Sequence, residues 1–370
     1  MSVTTETRPD QAGRVPASEQ VGAILRDRTT LLVVLTVVMI VVFSSLGANG
    51  YLLGPFNVSY LLSSLISLVP VALLALAQTF VILSGRSGID LSVGGMVSLG
   101  GMVFASLVGP MGWDVLPAAA VTIVAGGIFG ALNGWLVGYV GFPPLIATLA
   151  TSYIFGSLAL LLNDGSPISG PRVAATNSIT SNIPLGTGLF LPTHVLTILL
   201  PAIVITWFAL SRTSWGRSLY AVGTNDVAAT YATLPVKRIR ASAYVASGLL
   251  CGVTAIVNVA QFASARPDAG SAGNGLALPA ITIAVLGGVA IHGGRGRISG
   301  TVIAALLITW LNAALLISFT GSSGPRAQLL ALGLLLVGAV FLNTVQLPKS
   351  RRRRWFGLAP NNRNDPGKSA

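Results

Sequence analysis

Long apolar runs constrain the fold of this chain more than any other feature of its sequence. The first, TTLLVVLTVVMIVVFSSLGA at residues 29–48, is long enough to cross a hydrocarbon core, which needs about 20 apolar residues. Nine further runs lie at about 65–84, 89–108, 117–139, 144–162, 194–210, 241–260, 276–291, 298–318 and 326–345. The pattern predicts an all-α polytopic membrane protein with about ten transmembrane helices.

The composition excludes an ordinary soluble domain. Only 9% of the residues are charged and 53% are hydrophobic, whereas a soluble domain has about a quarter charged residues. The charges also predict an orientation. If the N-terminus lies inside, the inner segments hold all of the 22 Lys and Arg except Arg172, Arg266 and Arg326. Cytoplasmic loops carry an excess of Lys and Arg, so both termini are predicted to be cytoplasmic.

The two ends of the chain differ from the apolar middle. Residues 1–25 are polar and aperiodic, which predicts a disordered cytoplasmic N-terminus. Residues 26–347 form the predicted transmembrane domain, and residues 348–370 a basic cytoplasmic tail that includes RRRR at 351–354. We interpret the tail as an orientation anchor in contact with the lipid bilayer. No basic domain accompanies it, so nucleic-acid binding is not expected.

An unusual stretch, SGRSGIDLSVGGM at residues 84–96, interrupts the apolar sequence. Asp90 is the only acid within any predicted span, and an ionisable group at membrane depth marks a functional site by default. Two roles stay open for Asp90: capping the start of its helix while pairing with Arg86, or direct contact with a solute. Gly88 and Gly94 also have two explanations, close helix packing or a broken helix beside a polar path.

Other polar residues in the spans predict a polar interior without an ion path. They are Ser92, Asn133, Thr148, Gln78, Asn258 and Asn312. Amides and hydroxyls suit a neutral hydrogen-bonding solute, whereas an ion path would require more carboxylates. A short echo, GRSGI at 85–89 and GRGRI at 294–298, is the weak signal of a parallel internal repeat.

No catalytic or metal site is expected. The GKS at 367–369 lacks the earlier glycine of a phosphate-binding loop, because Asn362 stands there. His194 and His292 fall on opposite sides of the predicted membrane, and Cys251 is the single cysteine, expected to be a small packing residue. Energy for uphill transport would therefore come from another polypeptide.

The inner loop 211–240 is more than a plain connector. Its segment DVAATYATL at 226–234 predicts a short helix, with Asn225 or Asp226 as N-cap and Pro235 as its end. Such a helix either ties two spans together or docks in a groove of a partner.

An ordered set of motifs resembles a known family. The chain contains SGIDLSVGG (87–95), FPPLIATLA (142–150), NDGSPI (163–168), GRSLYAVGTND (216–226), ARPDAG (265–270) and VLGGVAIHGGRGRISGT (285–301). In these motifs it is similar to the membrane permease subunits of bacterial ATP-binding-cassette monosaccharide importers, the ribose/xylose/arabinose permease family. Two motifs depart from the family: Thr233 replaces a usual glycine, and residues 277–279 lack two usual acids.

The resemblance implies a multi-pass protein of the bacterial inner membrane that is not an enzyme. It implies that the loop 211–240 docks on a cytoplasmic ATPase through Gly223, Asn225, Asp226, Ala228 and Ala229. It implies that the segment from Gly88 to Gly94, with Asp90 and Ser92, helps shape the substrate pathway. The polar Asn133 and Thr148 are predicted to belong to the same pathway, although each could instead be an interhelical hydrogen-bond partner. The expected partners are that ATPase, an extracytoplasmic sugar-binding protein and a second permease copy, in a homodimer or a heterodimer. This chain is expected to bind no cofactor, since ATP and Mg belong to the ATPase.

Two alternative functions stay open at this stage. One is a permease of the same superfamily for another small solute, such as a branched-chain amino acid or a nucleoside. The other is an ion-coupled secondary transporter, for which Asp90 is the only candidate coupling acid. The sequence does not identify the sugar.

Overall fold

The computed structural model describes residues 28–186, 188–270 and 275–345, and all ten predicted spans correspond to apolar helices in this part of the chain. The helices are α1 (Arg28–Ala48), α2 (Val58–Leu83), α3 (Val93–Val108), α4 (Val115–Trp135), α5 (Pro144–Leu161), α6 (Pro171–Ala175), α7 (Leu200–Arg212), α8 (Ser214–Thr224), α9 (Asp226–Tyr231), α10 (Val236–Phe262), α11 (Ala277–Leu286), α12 (Ile298–Leu316) and α13 (Ser323–Val345). The predictions for the N-terminus 1–25 and the tail 348–370 lie outside the described residues.

Some segments extend or join these helices. α4 continues as a π-helical turn at Leu136–Val140, and another π-helical turn at Val195–Leu199 leads into α7. A 3-10 turn at Thr176–Thr180 follows α6. The only strands among the described residues are β1 (Asn182–Pro184) and β2 (Phe190–Pro192), a short antiparallel hairpin in the predicted outer loop.

The bundle is built around α10, which packs on α2, α3 and α4. Its contact with α4 is made by small residues at a spacing of four. Gly126 and Gly130 of α4 lie against the backbone of Gly248 in α10, where an added Cβ would overlap a carbonyl oxygen. Small residues let helix backbones approach closely in membranes, where packing replaces the hydrophobic effect as the source of association. Cys251, also on α10, is fully buried, as predicted for a packing residue.

The loop contacts sort the connecting segments into the two predicted groups. On one side, Gly85 and Gly293 lie against Gly223, and all three belong to predicted inner segments. On the other side, Ile168 pairs with Ala265 across an isolated bridge, and both belong to predicted outer segments. The alternating topology is thus consistent with the predicted one.

Two of the ten spans are shorter than predicted and begin inside the bundle. α3 has 16 residues because the turn and extended backbone at residues 84–92 precede it, and α11 has 10 because it ends at Leu286. Gly94, at the start of α3, meets Gly270 from the loop between α10 and α11. Gly94 lies 14 residues before the outer end of α3 at Val108, about 21 Å along the helix, so this outer loop descends deep into the bundle.

A proline in the middle of α2 has a specific compensation. Pro70 has no backbone N–H, so the carbonyl of Ile66 loses its helical partner. The side chain of Gln261 on α10 donates to that carbonyl at 2.6 Å, and the ring of His194 lies at 3.5 Å from it. A buried carbonyl that α2 cannot satisfy is therefore satisfied from a neighbouring helix.

We expect Gln261→Leu to destabilise the bundle by about 1–3 kcal/mol, because it leaves the Ile66 carbonyl without its strongest donor. In the double variant Pro70→Ala/Gln261→Leu, the restored amide at position 70 should recover much of that loss. The measurement is the apparent melting temperature of the purified protein in detergent. Equal melting temperatures for the single and double variants would contradict this account of α2.

Candidate functional site

The segment between α2 and α3, residues 84–92, is a tight turn followed by buried extended backbone. Gly85, Arg86 and Ser87 all have positive φ angles, of 84°, 55° and 51°, so the chain reverses and runs back beside the end of α2. Gly88 lies against the carbonyl of Val81, where a side chain would have no space. The segment is called the inner turn below.

The carboxylate of Asp90 holds the entrance of α3. Its Oδ1 accepts hydrogen bonds from the amide of Ser92 at 2.9 Å and from the Ser92 hydroxyl at 2.5 Å. Ser92 directly precedes α3 and makes no side-chain cap of its own. The predicted capping role thus takes the form of a bond one residue ahead of the helix, and Asp90 is fully buried.

The predicted pairing of Asp90 with Arg86 is wrong. Arg86 Nε donates instead to Asp226 Oδ2 at 2.9 Å. The spacing of four residues brings side chains together only on a continuous helix. Because the inner turn is not helical, Arg86 extends towards the loop 211–240 while Asp90 lies inside the bundle.

Side chains from two other helices satisfy the backbone of the inner turn. Gln78 of α2 bonds both backbone groups of Asp90: its amide donates to the carbonyl, and its Oε1 accepts from the N–H at 3.3 Å. Thr148 of α5 accepts from the amide of Leu91 at 3.1 Å and lies 3.1 Å from the carbonyl of Ile89. Non-helical backbone is tolerated at membrane depth only where such partners exist.

A chain of buried side-chain hydrogen bonds links the inner turn to α4 and α5. Asn133 Nδ2 of α4 donates to the Ser92 hydroxyl at 2.7 Å, and the Thr151 hydroxyl of α5 donates to Asn133 Oδ1 at 2.6 Å. The structure therefore brings Asp90, Ser92 and Asn133 into one network, with Thr148 beside it. Sequence reasoning missed Thr151, although its position three residues after Thr148 places both on one face of α5.

Gly94 serves close packing rather than the hydrogen-bond network. It faces the backbone of Gly270, whose amide donates to the hydroxyl of Ser98, one turn further along α3, at 2.8 Å. The predicted pathway side chains Asp90, Ser92, Asn133 and Thr148 are buried and bonded to their neighbours. The two cavities described in the structure, of about 390 and 200 Å³, are lined by other residues.

The loop 211–240 contains two helices, of which the sequence predicted one. The predicted helix is α9, six residues long, and Asn225 is its N-cap: Asn225 Oδ1 accepts from the amides of Val227 and Ala228 at 3.1 and 3.0 Å. That prediction is confirmed. The missed helix is α8, whose apolar Leu219 and Val222 are fully or nearly fully buried.

Glycines join this loop to the inner turn. Gly223, at the end of α8, lies against the carbonyl of Leu83 and the amide of Gly294, and a Cβ on it would meet the Gly294 nitrogen at 2.6 Å. The amide of Gly294 itself donates to the Leu83 carbonyl at 3.1 Å. Gly85 and Gly293 complete the contact, and both have positive φ. We call Gly85, Gly223, Gly293 and Gly294 the glycine junction.

Charges lie beside the glycine junction. Asp226 accepts from Arg86 at 2.9 Å and from Arg240 at 3.4 Å, and the Arg240 side chain is only 2% exposed while that of Arg86 is 56% exposed. Burial acts to raise the pKa of Asp226, but the hydrogen bond from Arg86 and the charges of Arg86 and Arg240 lower the pKa below its usual value. One carboxylate therefore joins the inner turn, α9 and the start of α10.

The residues exposed on α9 differ from the prediction that Ala229 contacts the ATPase. Ala229 is only 4% exposed and packs within this chain, whereas Val227 and Tyr231 are 61% and 86% exposed. These two lie four residues apart, on one face of the helix. Of the predicted loop residues, Gly223 and Ala229 are thus buried inside the chain, and Asn225, Asp226 and Ala228 lie closer to the surface.

We expect Asp90→Asn to keep the stability of the protein better than Asp90→Ala. Asparagine keeps an Oδ1 acceptor for Ser92, whereas alanine removes both bonds, at about 1 kcal/mol for the amide bond alone. The measurement is the apparent melting temperature in detergent, with the exposed Asp114→Ala as control. A normal melting temperature for Asp90→Ala would rule out the capping role.

We expect Asp226→Ala to cost about 3 kcal/mol, because it leaves Arg240 buried without a carboxylate. Arg86→Ala should cost less than about 1 kcal/mol, since the Arg86 side chain is mostly in solvent. A carboxylate with a lowered pKa stabilises the fold above its unfolded pKa, near 3.8, and this contribution is lost as the pH falls through the lower folded pKa. Melting temperatures of both variants at neutral and acidic pH test whether Asp226→Ala destabilises the protein more than Arg86→Ala. Equal losses of stability in the two variants would contradict this account.

The comparisons with known proteins agree on one family. The family model described as "Branched-chain amino acid transport system / permease component" matches residues 60–344. The "Autoinducer 2 import system permease protein LsrD" of Photorhabdus luminescens is 34% identical over 304 residues, covering 81% of this chain and 87% of that protein. The protein of the same name from Yersinia enterocolitica is 32% identical over 301 residues, covering 81% and 88%.

Among solved structures, "PsaBC from Streptococcus pneumoniae in complex with Fab" covers 79% of this chain and 94% of that chain, with a TM-score of 0.43 and 16% identity.

In the part of the chain described, no three His, Cys, Asp or Glu side chains lie close enough to hold a metal ion. Eight of the helices described are long and apolar enough to cross a membrane. The chain therefore belongs to the family of transport-system permease components, as its motifs predicted, and it is a multi-pass protein of the inner membrane.

Proposed function

We propose that this chain is the permease subunit of an ATP-driven importer that moves a monosaccharide or a similar small polar solute across the inner membrane. The observation that carries the proposal is the attachment of the loop 211–240. Its exposed apolar side chains, Val227 and Tyr231, lie on a helix that the glycine junction and Asp226 fix to the inner turn.

The ATPase partner docks on this exposed face. An aromatic side chain that is 86% exposed is a frequent anchor of protein interfaces, since such anchors bury large apolar area in a partner's pocket. Tyr231 and Val227 are the anchors in our proposal, and ATP with Mg is bound and hydrolysed by the partner. The buried Gly223 and Ala229 act indirectly, by holding α8 and α9 in place.

Movement of the docked loop reaches the membrane through backbone contacts. Gly223 touches the last residue of α2, and Asp226 is bonded to Arg86 of the inner turn. At the glycine junction the loop and the inner turn touch through backbone atoms, with no flexible side chain between them. A displacement of α8 therefore acts directly on the backbone of the inner turn. The inner turn leads directly into α3, and Asp90 is bonded to Ser92 at this point.

The pathway prediction stays part of this proposal. Asp90, Ser92, Asn133 and Thr148 form buried hydrogen bonds between the inner turn, α4 and α5, and Gly88 and Gly94 pack closely beside them. We infer that this network shapes and closes the inner half of the substrate path. Interrupted helices inside the bundle are the usual surroundings of transporter binding sites, and here the start of α3 at Gly94 meets the non-helical Gly270.

The remaining partners follow from the same proposal. An extracytoplasmic binding protein would deliver the solute to the outer loops, and a second permease copy, identical or related, would complete the membrane unit. The relatives are named for import of autoinducer 2, which adds that molecule to the candidate solutes of this chain. An ion-coupled transporter is less well supported, because Asp90 is occupied with Ser92 at the entrance of α3.

The test is uptake of labelled D-ribose or D-xylose into vesicles holding the permease with its genomically adjacent ATPase and binding protein. We expect uptake only with ATP and all subunits, and a loss of at least tenfold with Tyr231→Asp at unchanged permease stability. Tyr231→Phe, which keeps the exposed aromatic ring, is the matched control and should keep uptake. Concentrative uptake by the permease alone under a proton or sodium gradient would refute the ATP-driven function.

A further inference from the structure

A cavity of about 390 Å³ lies between α2, α11, α12 and α13, apart from the inner turn. Most of its surface is apolar, and polar side chains contribute the smaller part. Its polar lining comes from Ser63, Ser64, Ser67, Thr309, Asn312 and Gln328. The volume falls in the range of about 300–1,000 Å³ that is typical of small-molecule sites.

The cavity extends from the outer side to the middle of the bundle. Ser64 lies six residues, about 9 Å, from the outer end of α2 at Val58. Val71, which also lines the cavity, lies thirteen residues or about 20 Å from that end, half-way along this 26-residue helix. Transporter substrate sites lie near this depth.

The polar lining is unsuited to lipid. Ser63 and Ser67 are exposed on α2, whereas the outward faces of α1 and α5 carry mainly large apolar side chains. Gln328 donates to the carbonyl of Asn312 at 2.8 Å, but the side chains of Ser67, Thr309 and Asn312 make no hydrogen bond within the described part of the chain. Hydroxyl and amide groups facing hydrocarbon without partners are costly. Their convergence from three helices on one cavity therefore indicates a polar occupant.

The hydrogen-bonding groups of the cavity define the chemistry of this occupant. The hydroxyls of Ser63 and Ser64 donate to the carbonyls of Ser59 and Leu61, each at 2.8 Å. Their oxygens remain acceptors for a solute hydroxyl, and the Asn312 amide offers both donors and an acceptor. None of the described lining residues carries a charge, so an amino acid zwitterion would find no counter-charge there.

We propose that this cavity is a binding site for a neutral polyhydroxylated solute the size of a monosaccharide, entered from the outer side. The site gives the substrate class of the importer, and this assignment rests on the proposed function. Because the described lining residues carry no charge, the site also favours a sugar over an amino acid as the solute.

Cysteine protection tests the site directly, because the single native cysteine, Cys251, is buried. Right-side-out vesicles carrying Ser64→Cys are labelled from outside with a membrane-impermeant thiol reagent. We expect labelling that D-ribose or D-xylose slows at least threefold, and that L-leucine and sucrose leave unchanged. Ser166→Cys, in the exposed outer loop, is the control and should be labelled at the same rate with every solute.

Three results would overturn the site: no labelling of Ser64→Cys, no protection by either pentose, or protection by L-leucine. A second variant, Ser67→Leu, fills the cavity and should reduce pentose uptake by the complete complex at least tenfold. The control Ser45→Leu, on the exposed surface of α1, should not. Normal uptake with Ser67→Leu would also overturn the site.

The two proposals fail differently. If the unmodified complex takes up pentose with ATP but Ser64→Cys shows no protection, the importer function stands and the site is wrong. If pentoses protect Ser64→Cys but the complete complex takes up none of them, the site stands and the importer function is wrong.

Discussion

The need to satisfy buried backbone groups without water governs the rest of this structure. Every non-helical backbone segment inside the bundle requires hydrogen-bond partners from within the protein, either side chains or other backbone groups. Gln78 and Thr148 supply such partners to the inner turn, and Gln261 supplies one to the carbonyl that Pro70 leaves free. The polar residues of the spans are thus largely explained by the backbone irregularities beside them. These irregularities in turn give α3 its late start and place Asp90 at its entrance.

Much of the fold could be predicted from the sequence, because apolar length and the Lys and Arg distribution are local signals. The ten helices and the N-cap at Asn225 are examples. The shortening of the predicted span 276–291 to ten residues could not be predicted, since the residues after Leu286, such as the buried Val289, are as apolar as the helix although they are not helical. The partner of Arg86 could not be predicted either, because Asp226 lies 140 positions away and is brought near only by the glycine junction.

For the candidate site, the sequence identified the polar residues but not their arrangement. The sequence indicates Asp90, Ser92 and Asn133 as separate polar residues, and the structure joins them in one hydrogen-bond network. The serines of the outer cavity were overlooked because a single serine in an apolar helix carries little signal. Ser63 and Ser67 indicate a site only once the fold places Asn312 opposite them, and Asn312 lies 245 positions after Ser67.

The glycine junction has a consequence for biogenesis. Its members come from three segments, and the last of them, Gly293 and Gly294, follows α11. During synthesis, α8 and α9 therefore emerge before Gly293 and Gly294, when their contacts with Leu83, Gly85 and Arg86 can form but the junction is incomplete. The glycine junction is complete only after eight of the ten spans have been made. A partner that docks on Tyr231 would therefore meet the finished loop only on a nearly complete bundle.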